Sequence, residues 1–488
     1  MRKAFSQHRR LDCHGVLGVQ LNLECRDEII PILRAVQHIY GQPKLRDEIL
    51  DLISDDVNQD ARDDVGREGM DYWQILVLAA VRLGCNLDYD KLQDLAEQHR
   101  SLRHIMGLGD WSEETNFGWR RIRDNVCLLK PTTIEKISHL IVAEGHRLQP
   151  EAAKQTRADS FVAETNIHWP AESTLIRDGV RKIIEMCVLI ASTMKSGGWR
   201  QAFHLLRKVK RLSRSIERIS SRKGPRYEER MKSEYRKLLK LSGKVTQRAK
   251  RLLREAESHQ KLVGSASLDQ LKVFLQRTEQ VRGTARRRVL KGETVPNQEK
   301  LFSMFEPHTQ LYKRGKAGEP IQFGRLVLIF EDAAGFITHS YLLGRDENDR
   351  DVVVPQTRIV QTRLNDAIEE ASFDRGFHTP ENQRQLAEII PTCCLPKPGS
   401  KQSKEQEQGA TIAFRQAHQR HAGVESAIGA LQAGNGLERS RDRTELGFER
   451  YVALGILGRN FHVLGKLIIA REVDSCEAAR SKRKELAA

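Results

Sequence analysis

Three acidic residues of this 488-residue chain could together hold divalent cations. Asp159 lies on a predicted strand, Asp374 ends a later one, and Glu425 lies in a predicted helix beyond it. Carboxylates from three elements of one sheet suit a pair of Mg²⁺ ions, because Mg²⁺ binds few protein carboxylates and keeps waters that a substrate can replace. The chain holds 65 acidic residues, so a similar trio also arises by chance. Each of the three could instead be a helix N-cap or a surface charge.

The elements that must position these acids form an alternating pattern. Short apolar and β-branched runs predict strands at 157–163, 324–330, 336–343, 370–374 and 389–395. Helical patterns occur at 356–370, from Thr379 onward and at 411–432. The order strand, hairpin, helix, strand, helix, strand, helix predicts an α/β layer arrangement.

The positive charge of the chain is concentrated in one segment. Residues 201–300 contain 28 Lys and Arg against 10 Asp and Glu, whereas the rest of the chain contains 53 against 55. The net charge of +16 therefore comes from this segment alone. A polyanion such as nucleic acid is a natural partner, since each neutralised phosphate releases counterions. A solvated helical face is the alternative explanation.

An apolar stripe runs through the same segment, on both sides of Lys223-Gly224-Pro225. Its steps of three and four residues mark one face of a helix. We therefore predict two long helices joined at that turn, an antiparallel hairpin that is apolar inside and basic outside. Globular patterns resume on both sides, so the hairpin is predicted to be an insertion. The stripe consists of Leu205, Val209, Leu212, Ile216, Ile219, Leu238, Leu241, Val245 and Leu252.

The rest of the composition places the chain among proteins of a reducing compartment. The eight cysteines include no CxxC pair, so neither a zinc ribbon nor a disulfide framework is indicated. No run approaches the roughly 18 apolar residues that span a bilayer, and no apolar segment follows the basic N-terminus as in a signal peptide. Residues 27–150 are helical in pattern, with helices at 72–83 and from Tyr89. A helix-turn-helix and a plain helical bundle both fit them.

The strings around the three acids resemble segments of bacterial insertion-sequence transposases of the DDE class, most closely the ISNCY group. Residues 157–170 (RADSFVAETNIHWP), followed by Asp178-Gly179-Val180-Arg181, resemble the first-aspartate segment. Residues 373–382 (FDRGFHTPEN) resemble the second-aspartate segment, and residues 420–429 (RHAGVESAIG) resemble the glutamate helix. Residues 315–324 and 92–107 also resemble segments of these transposases. The resemblance covers most of residues 70–465 in the family's order.

The resemblance implies an RNase H-like catalytic domain in which Asp159, Asp374 and Glu425 bind Mg²⁺, with Mn²⁺ as a substitute. It implies metal-dependent cleavage of a phosphodiester at the element end, then attack of the freed 3′-hydroxyl on target DNA. The implied partners are double-stranded DNA, both as terminal inverted repeats and as target, and a second copy of the chain in a synaptic homodimer. No membrane partner is expected, and the implied location is the cytoplasm, at the nucleoid.

The chain departs from its relatives around the glutamate. Some related transposases carry Tyr, Arg and Lys at fixed distances from it, where this chain has His418, His421 and Gln432. His421 lies one helical turn before Glu425, so a phosphate contact and a structural role both stay open. The missing Lys could be replaced by Arg439, Arg441 or Arg443. The residues predicted to contact DNA are His421, Arg420, Arg375, Lys208, Lys210, Arg211, Arg214, Lys237, Arg251 and Arg254.

Other residues are weaker candidates. Asp178 is expected to cap a helix rather than bind a metal, and the rival second acids lie in predicted turns without a matching string. Trp169 and Trp199 could stack on bases, although burial in a core is the stronger expectation for each. The rival second acids are Asp332, Asp349 and Asp351.

These patterns predict a layout of four parts. Residues 1–150 form a helical DNA-binding domain, 151–190 and 300–470 the RNase H-like domain, 191–299 the basic insertion and 471–488 a basic tail. Two other functions stay open: a domesticated DNA-binding protein that keeps the fold without cutting, and a metal-dependent nuclease of the same fold that cuts without joining.

Overall fold

The computed structural model describes residues 5, 11–58, 69–111, 118–258, 263–313, 320–345, 347–399, 406 and 411–487, with side chains up to 475. It is mixed α/β and 65% helical, with a mixed seven-stranded sheet flanked by helices. Two compact units make up the chain. The first comprises 1–164 and 325–488, and the second comprises 165–324.

The N-terminal part of the first unit is helical, as the sequence predicts for 27–150. The predicted helix at 72–83 is α3, and the helix predicted from Tyr89 is α4. The helices are α1 Ile29–Tyr40, α2 Pro43–Val57, α3 Tyr72–Gly84, α4 Tyr89–Gln98, α5 Arg100–Ile105, α6 Trp119–Val126 and α7 Pro131–Leu148.

The second unit is built on four helices: α8 Glu172–Thr193, α9 Ala202–Arg222, α10 Tyr227–Glu257 and α11 Ser265–Ala285. The two helices predicted on either side of Lys223-Gly224-Pro225 are α9 and α10, which pack together across a turn in which Lys223 and Arg226 have φ of 38° and 54°. The predicted stripe is buried or half-buried between the helices. Helices α8 and α11 add their apolar faces, and all members of this hydrophobic core lie between residues 175 and 304.

The strands are β1 Gln155–Thr165, β2 Gln310–Lys313, β3 Ile321–Asp332, β4 Ile337–Leu342, β5 Glu370–Phe373, β6 Thr392–Cys394 and β7 Arg439–Ser440. Their order is β2-β3-β1-β5-β6, while β4 pairs with β3 and β7 with β1. The predicted hairpin of β3 and β4 is antiparallel, whereas β1–β5 and β5–β6 are parallel. The five predicted strands are present, and the short strands β2 and β7 are additional.

Helices α12 Asp349–Arg363, α13 Pro380–Ile389, α14 Ile412–His421 and α15 Gly423–Gly429 follow the strands. The predicted helix at 356–370 is wrong in its bounds. The observed helix α12 starts earlier, at Asp349, and accommodates Pro355 inside it. It ends at Arg363 because Asn365 and Asp366 adopt positive φ. Thr379 caps α13 as predicted, accepting a hydrogen bond from the Asn382 amide. The predicted helix at 411–432 is broken at Ala422 and ends in a π-helical turn, Ala430–Gly434.

The long C-terminal helix α16, Glu445–Ala487, completes the core of the first unit. It packs on α1, α3 and α7. Its stretch Glu445–Ser475 is long and apolar enough to cross a membrane, yet 72% of the most apolar part of this stretch is buried, as in a core helix. Gly465 permits the contact with α1, because a Cβ there would lie 1.7 Å from the Pro31 carbonyl oxygen. The backbone of α16 continues to Ala487, so it includes residues 471–487 of the predicted basic tail.

One hydrophobic core joins the N-terminal helices, the sheet and α16. Phe161 and Ala163 of β1 and Val327 and Ile329 of β3 belong to it, and its buried members all lie within 16–163 or 327–468. The second unit therefore has a core of its own. The four-part domain layout stays a prediction.

Candidate active site

The register of β1 and β5 places two of the three acids side by side. The strands are parallel, and their paired residues run from Gln155 with Glu370 to Ala158 with Phe373. The next position on each chain is Asp159 and Asp374. Neighbouring strands lie about 4.8 Å apart, and laterally adjacent residues point to the same face of a sheet. The two carboxylates therefore lie on the same face, Asp159 within β1 and Asp374 directly after β5.

The helical segment that carries Glu425 lies over this face. Arg157, two residues before Asp159 and so on its face, donates from Nη1 to the carbonyl oxygen of Arg420 at 3.2 Å. Ser372, two residues before Asp374, is hydrogen-bonded through Oγ to Nδ1 of His421 at 3.2 Å. The end of α14 is therefore held against β1 and β5 next to both aspartates.

Glu425 lies between two contacts of its helical segment with β1. Before it, the carbonyl oxygen of Arg420 accepts the hydrogen bond from Arg157, and after it Nε2 of Gln432 donates to the carbonyl oxygen of Val162 at 3.5 Å. The segment and β1 therefore run side by side in one direction, with Glu425 in the first turn of α15.

Gly423 makes this close approach feasible. A Cβ at this position would lie 2.1 Å from Nη1 of Arg157, so a larger residue here would displace the guanidinium from its present position. The glycine of the string RHAGVE thus has a packing reason that the sequence alone did not reveal.

The immediate surroundings of the acids are polar and accessible. Asp159 and Asp374 are half-buried, and Glu425 is exposed. Oδ1 of Asp159 accepts the Ser160 amide at 2.6 Å, and Oδ2 of Asp374 accepts the Gly376 amide at 3.2 Å. Among the described residues, no three His, Cys, Asp or Glu side chains are gathered closely enough to hold a metal ion.

The donors nevertheless fit Mg²⁺ in their chemistry. Carboxylate oxygens are its preferred ligands, and Mg²⁺ is usually held by one or two carboxylates plus substrate phosphates rather than by a closed protein cage. Accessible carboxylates on adjacent elements satisfy that requirement. The metal role of Asp159, Asp374 and Glu425 stays a prediction.

A buried ion pair beneath the site was missed by sequence reasoning. Nε of Arg157 lies 2.5 Å from Oε2 of Glu331, which ends the apolar run of β3 and is 2% exposed. Burial raises the pKa of Glu331, and the Arg157 charge opposes that rise. Arg459 is the next cation, 4.0 Å from Glu331. A glutamate within an apolar run was the one available signal, because a strand interior accepts a charge only with a partner.

The residues predicted to contact DNA near the site are engaged in different ways. Arg420 forms a two-pronged ion pair with Glu370 of β5, with Nε at 3.0 Å from Oε1. Burial lowers the pKa of His421, although the nearby Asp374 opposes this, so its imidazole is neutral at neutral pH. Arg375 is exposed. Arg420 and His421 thus fasten the helix to the sheet, and their contacts with DNA stay predictions.

The rival acids lie elsewhere. Asp349 accepts a hydrogen bond of 2.9 Å from Ser160, whose side chain points to the face opposite Asp159. Asp332 accepts the amides of Ala334 and Phe336 at 2.9 Å each and pairs with His146. Asp178 lies inside α8 and pairs with Arg177, so it is not the helix cap that we expected.

In the second unit, the predicted DNA contacts of the hairpin are all exposed: Lys208, Lys210, Arg211, Arg214, Lys237, Arg251 and Arg254. Trp199 is buried at 7% exposure with the Arg248 guanidinium over its ring, in agreement with the stronger expectation. Trp169 is 66% exposed, contrary to the expectation that it is buried, and it makes an edge-to-face contact with Phe323. Residues 315–319 of the matching string lie outside the described residues.

Comparison with known proteins finds no matching family model, no matching curated protein and no matching solved structure.

The ion pair of Arg157 with Glu331 supports a stability prediction. Arg157→Ala removes the contact to the Arg420 carbonyl and leaves Glu331 buried without its nearest cation. We expect the free energy of unfolding at pH 7 to fall by about 2 kcal/mol, below the loss typical of fully buried pairs because Arg157 is partly exposed. The measurement is urea denaturation.

The dependence on pH identifies the cause. Loss of Arg157 raises the folded-state pKa of Glu331 further, so the folded state binds the proton more tightly than the unfolded one. The loss of unfolding free energy caused by Arg157→Ala is then largest at neutral pH. It shrinks as the pH falls towards 4.5, the ordinary pKa of glutamate, because Glu331 becomes protonated. Adding Glu331→Gln should recover part of it at pH 7. A deficit that is independent of pH and unrelieved by Glu331→Gln would assign Arg157 a packing role only.

Proposed function

We propose that this protein is a DNA transposase of the DDE class, with Asp159, Asp374 and Glu425 as its metal ligands. The observation that carries the proposal is the shared face of β1, β5 and α15. Three segments that each resemble the family come together there, although the first and the last are more than 200 residues apart in sequence. The β1–β5 register and the contacts of Arg420 and His421 bring them together.

We propose an RNase H-like fold for the part that holds these acids. The support is the order of elements around β1: an antiparallel pair on one side, two parallel strands on the other, and helices between the parallel strands. In such an arrangement Asp374, directly after β5, lies beside Asp159 within β1. Two acids far apart in sequence can share metal ions only if that condition holds.

The chain's own residues divide the work of the reaction. A pair of Mg²⁺ ions, or Mn²⁺ in their place, would activate the attacking oxygen and stabilise the leaving oxygen. Asp159 and Asp374, on rigid adjacent strands, hold the ion position fixed, and Glu425 completes it from the helix. Arg157, Arg420 and His421 keep that helix in place. The exposed side of the acids leaves room for a phosphodiester.

The same site serves hydrolysis and strand transfer. Both steps are in-line displacements at phosphorus, first by water and then by the freed 3′-hydroxyl. The partner is double-stranded DNA, for which the exposed basic residues of the second unit provide sequence-independent contacts.

The test is an assay with the purified protein and the DNA that flanks its gene. We expect terminal inverted repeats within a few hundred base pairs, cleavage at their ends that requires Mg²⁺ or Mn²⁺, and covalent joining of the 3′ ends to target plasmid. Cleavage without joining would make the protein a nuclease. Binding without cleavage in either metal would make it a domesticated DNA-binding protein.

A further inference from the structure

The basic residues of the α9–α10 hairpin are not spread evenly over its surface. One groove of about 590 Å³ runs between the two helices. Arg211 and Arg218 line it from α9, and Lys240 and Lys244 line it from α10, together with Lys208 and Lys237. The only acid among its lining residues, Glu234, is paired with Lys237 at 2.6 Å. The remaining five cations leave the groove strongly positive.

A second groove continues this charge on the other side of α10. Its volume is about 380 Å³, and Lys240 and Lys244 line it too, with Arg236 and Arg286. Arg282 also lines it, although this guanidinium is half-buried and donates to the Leu239 carbonyl. No acidic residue lines this groove. Lys240 and Lys244 thus stand between two grooves, and the positive band crosses α9, α10 and α11.

Other exposed cations of the hairpin lie outside both grooves. Lys210, Arg214, Arg251 and Arg254 are exposed on the same two helices but line neither groove. Lys210 lines a different depression, which also holds two acid–arginine pairs, Arg177 with Asp178 and Arg181 with Glu185. A sequence pattern of basic residues cannot separate these two sets, because both lie on the outer surface of the helices.

We propose that the groove between α9 and α10 is the site that binds the sugar–phosphate backbone of duplex DNA, and that the four outlying cations do not contact it. The proposal rests on the proposed function in its choice of DNA. A concave, positive groove admits the ridge of a phosphate backbone, so several cations reach successive phosphates at once. A lipid bilayer presents a broad surface that cannot enter a groove between two helices. The half-buried Leu212 and Leu241 also line the groove, between the cations of the two helices.

Two variants with equal charge test this proposal. The groove variant carries Lys208→Gln, Arg211→Gln, Lys240→Gln and Lys244→Gln. The matched control carries Lys210→Gln, Arg214→Gln, Arg251→Gln and Arg254→Gln. Each removes four positive charges from exposed sites of the same helices and introduces the same residue. Circular dichroism checks that both retain the wild-type helix content.

Binding is measured with a labelled duplex of arbitrary sequence in chelator, by fluorescence anisotropy between about 50 and 200 mM salt. We expect the groove variant to flatten the slope of log K against log salt by about 3 to 4, since each lost phosphate contact removes about 0.9. The control should keep the wild-type slope to within about 1. A third variant, with Lys208, Lys240 and Lys244 changed to Arg, should bind like the wild type because it keeps the charge.

Equal slopes in the groove variant and the control would overturn the proposal, as would absence of duplex binding by the wild type. So would loss of binding to phosphatidylserine vesicles in the groove variant with unchanged DNA binding. The cleavage assay separates this site from the proposed function. A protein that binds through the groove but never cuts refutes the transposase, whereas one that cuts while both variants bind alike refutes the groove.

Discussion

Asp374→Asn should abolish metal-dependent cleavage, with a loss of about 1000-fold or more, and leave DNA binding close to that of the wild type. The substitution keeps the size of the side chain but removes the charge that would hold a divalent cation, and a lost metal removes stabilisation of both reacting oxygens. Asp159→Asn and Glu425→Gln should behave alike. Cleavage of an end-labelled duplex in Mg²⁺ and in Mn²⁺ measures the effect.

Asp351→Asn is the matched control. Asp351 is an exposed acid in the first turn of α12 and is one of the three rival second acids without a matching string. It should keep full activity. If Asp374→Asn still cuts and Asp351→Asn does not, the second acid has been assigned to the wrong residue.

A change of ligand chemistry distinguishes a metal ligand from a residue that only supports the fold. Asp374→Cys offers a thiolate, which Mg²⁺ accepts poorly and softer ions accept better. We expect partial recovery of cleavage in Mn²⁺ and none in Mg²⁺. Equal inactivity in both ions, with normal stability, would argue against direct coordination by Asp374.

Part of the site could be anticipated from the sequence, because neighbouring parallel strands bring residues of distant segments side by side. The strands of Asp159 and Asp374 were recognisable from their apolar runs, and the structure supplies the register that makes them neighbours. That register depends on backbone pairing and leaves no local trace in sequence. The same holds for the break at Ala422, which arises where Gly423 meets Arg157.

The bounds of helices were harder to predict than their existence. Pro355 marks a helix start in most sequences, yet α12 begins six residues earlier, at Asp349. The packing partner of helix α8 was also hard to predict. Its apolar face could pack on a sheet or on other helices, and pattern alone does not distinguish the two. In the structure Leu175, Ile176 and Val180 belong to the core of the second unit.

This packing of α8 leads to a prediction about deletion. Replacing residues 167–320 with a short Gly/Ser linker removes the second unit with its whole core and leaves the core of the first unit intact. The chain leaves β1 and returns on β3, its neighbour in the sheet, so a short linker suffices. A shorter loop also costs less closure entropy. We expect a folded, cooperative product that lacks the edge strand β2, retains the other six strands and has lost most of the DNA affinity.

Replacing only residues 194–300 should fail, although it removes less of the chain. It retains α8 but deletes α9, α10 and α11, which cover the apolar face of α8. Exposure of that face favours aggregation. Circular dichroism, thermal melting and size-exclusion chromatography compare the two deletions. If the larger deletion unfolds while the smaller one stays monomeric and cooperative, α8 belongs to the fold of the seven-stranded sheet, and the division of the chain at residues 165 and 324 does not describe its folding units.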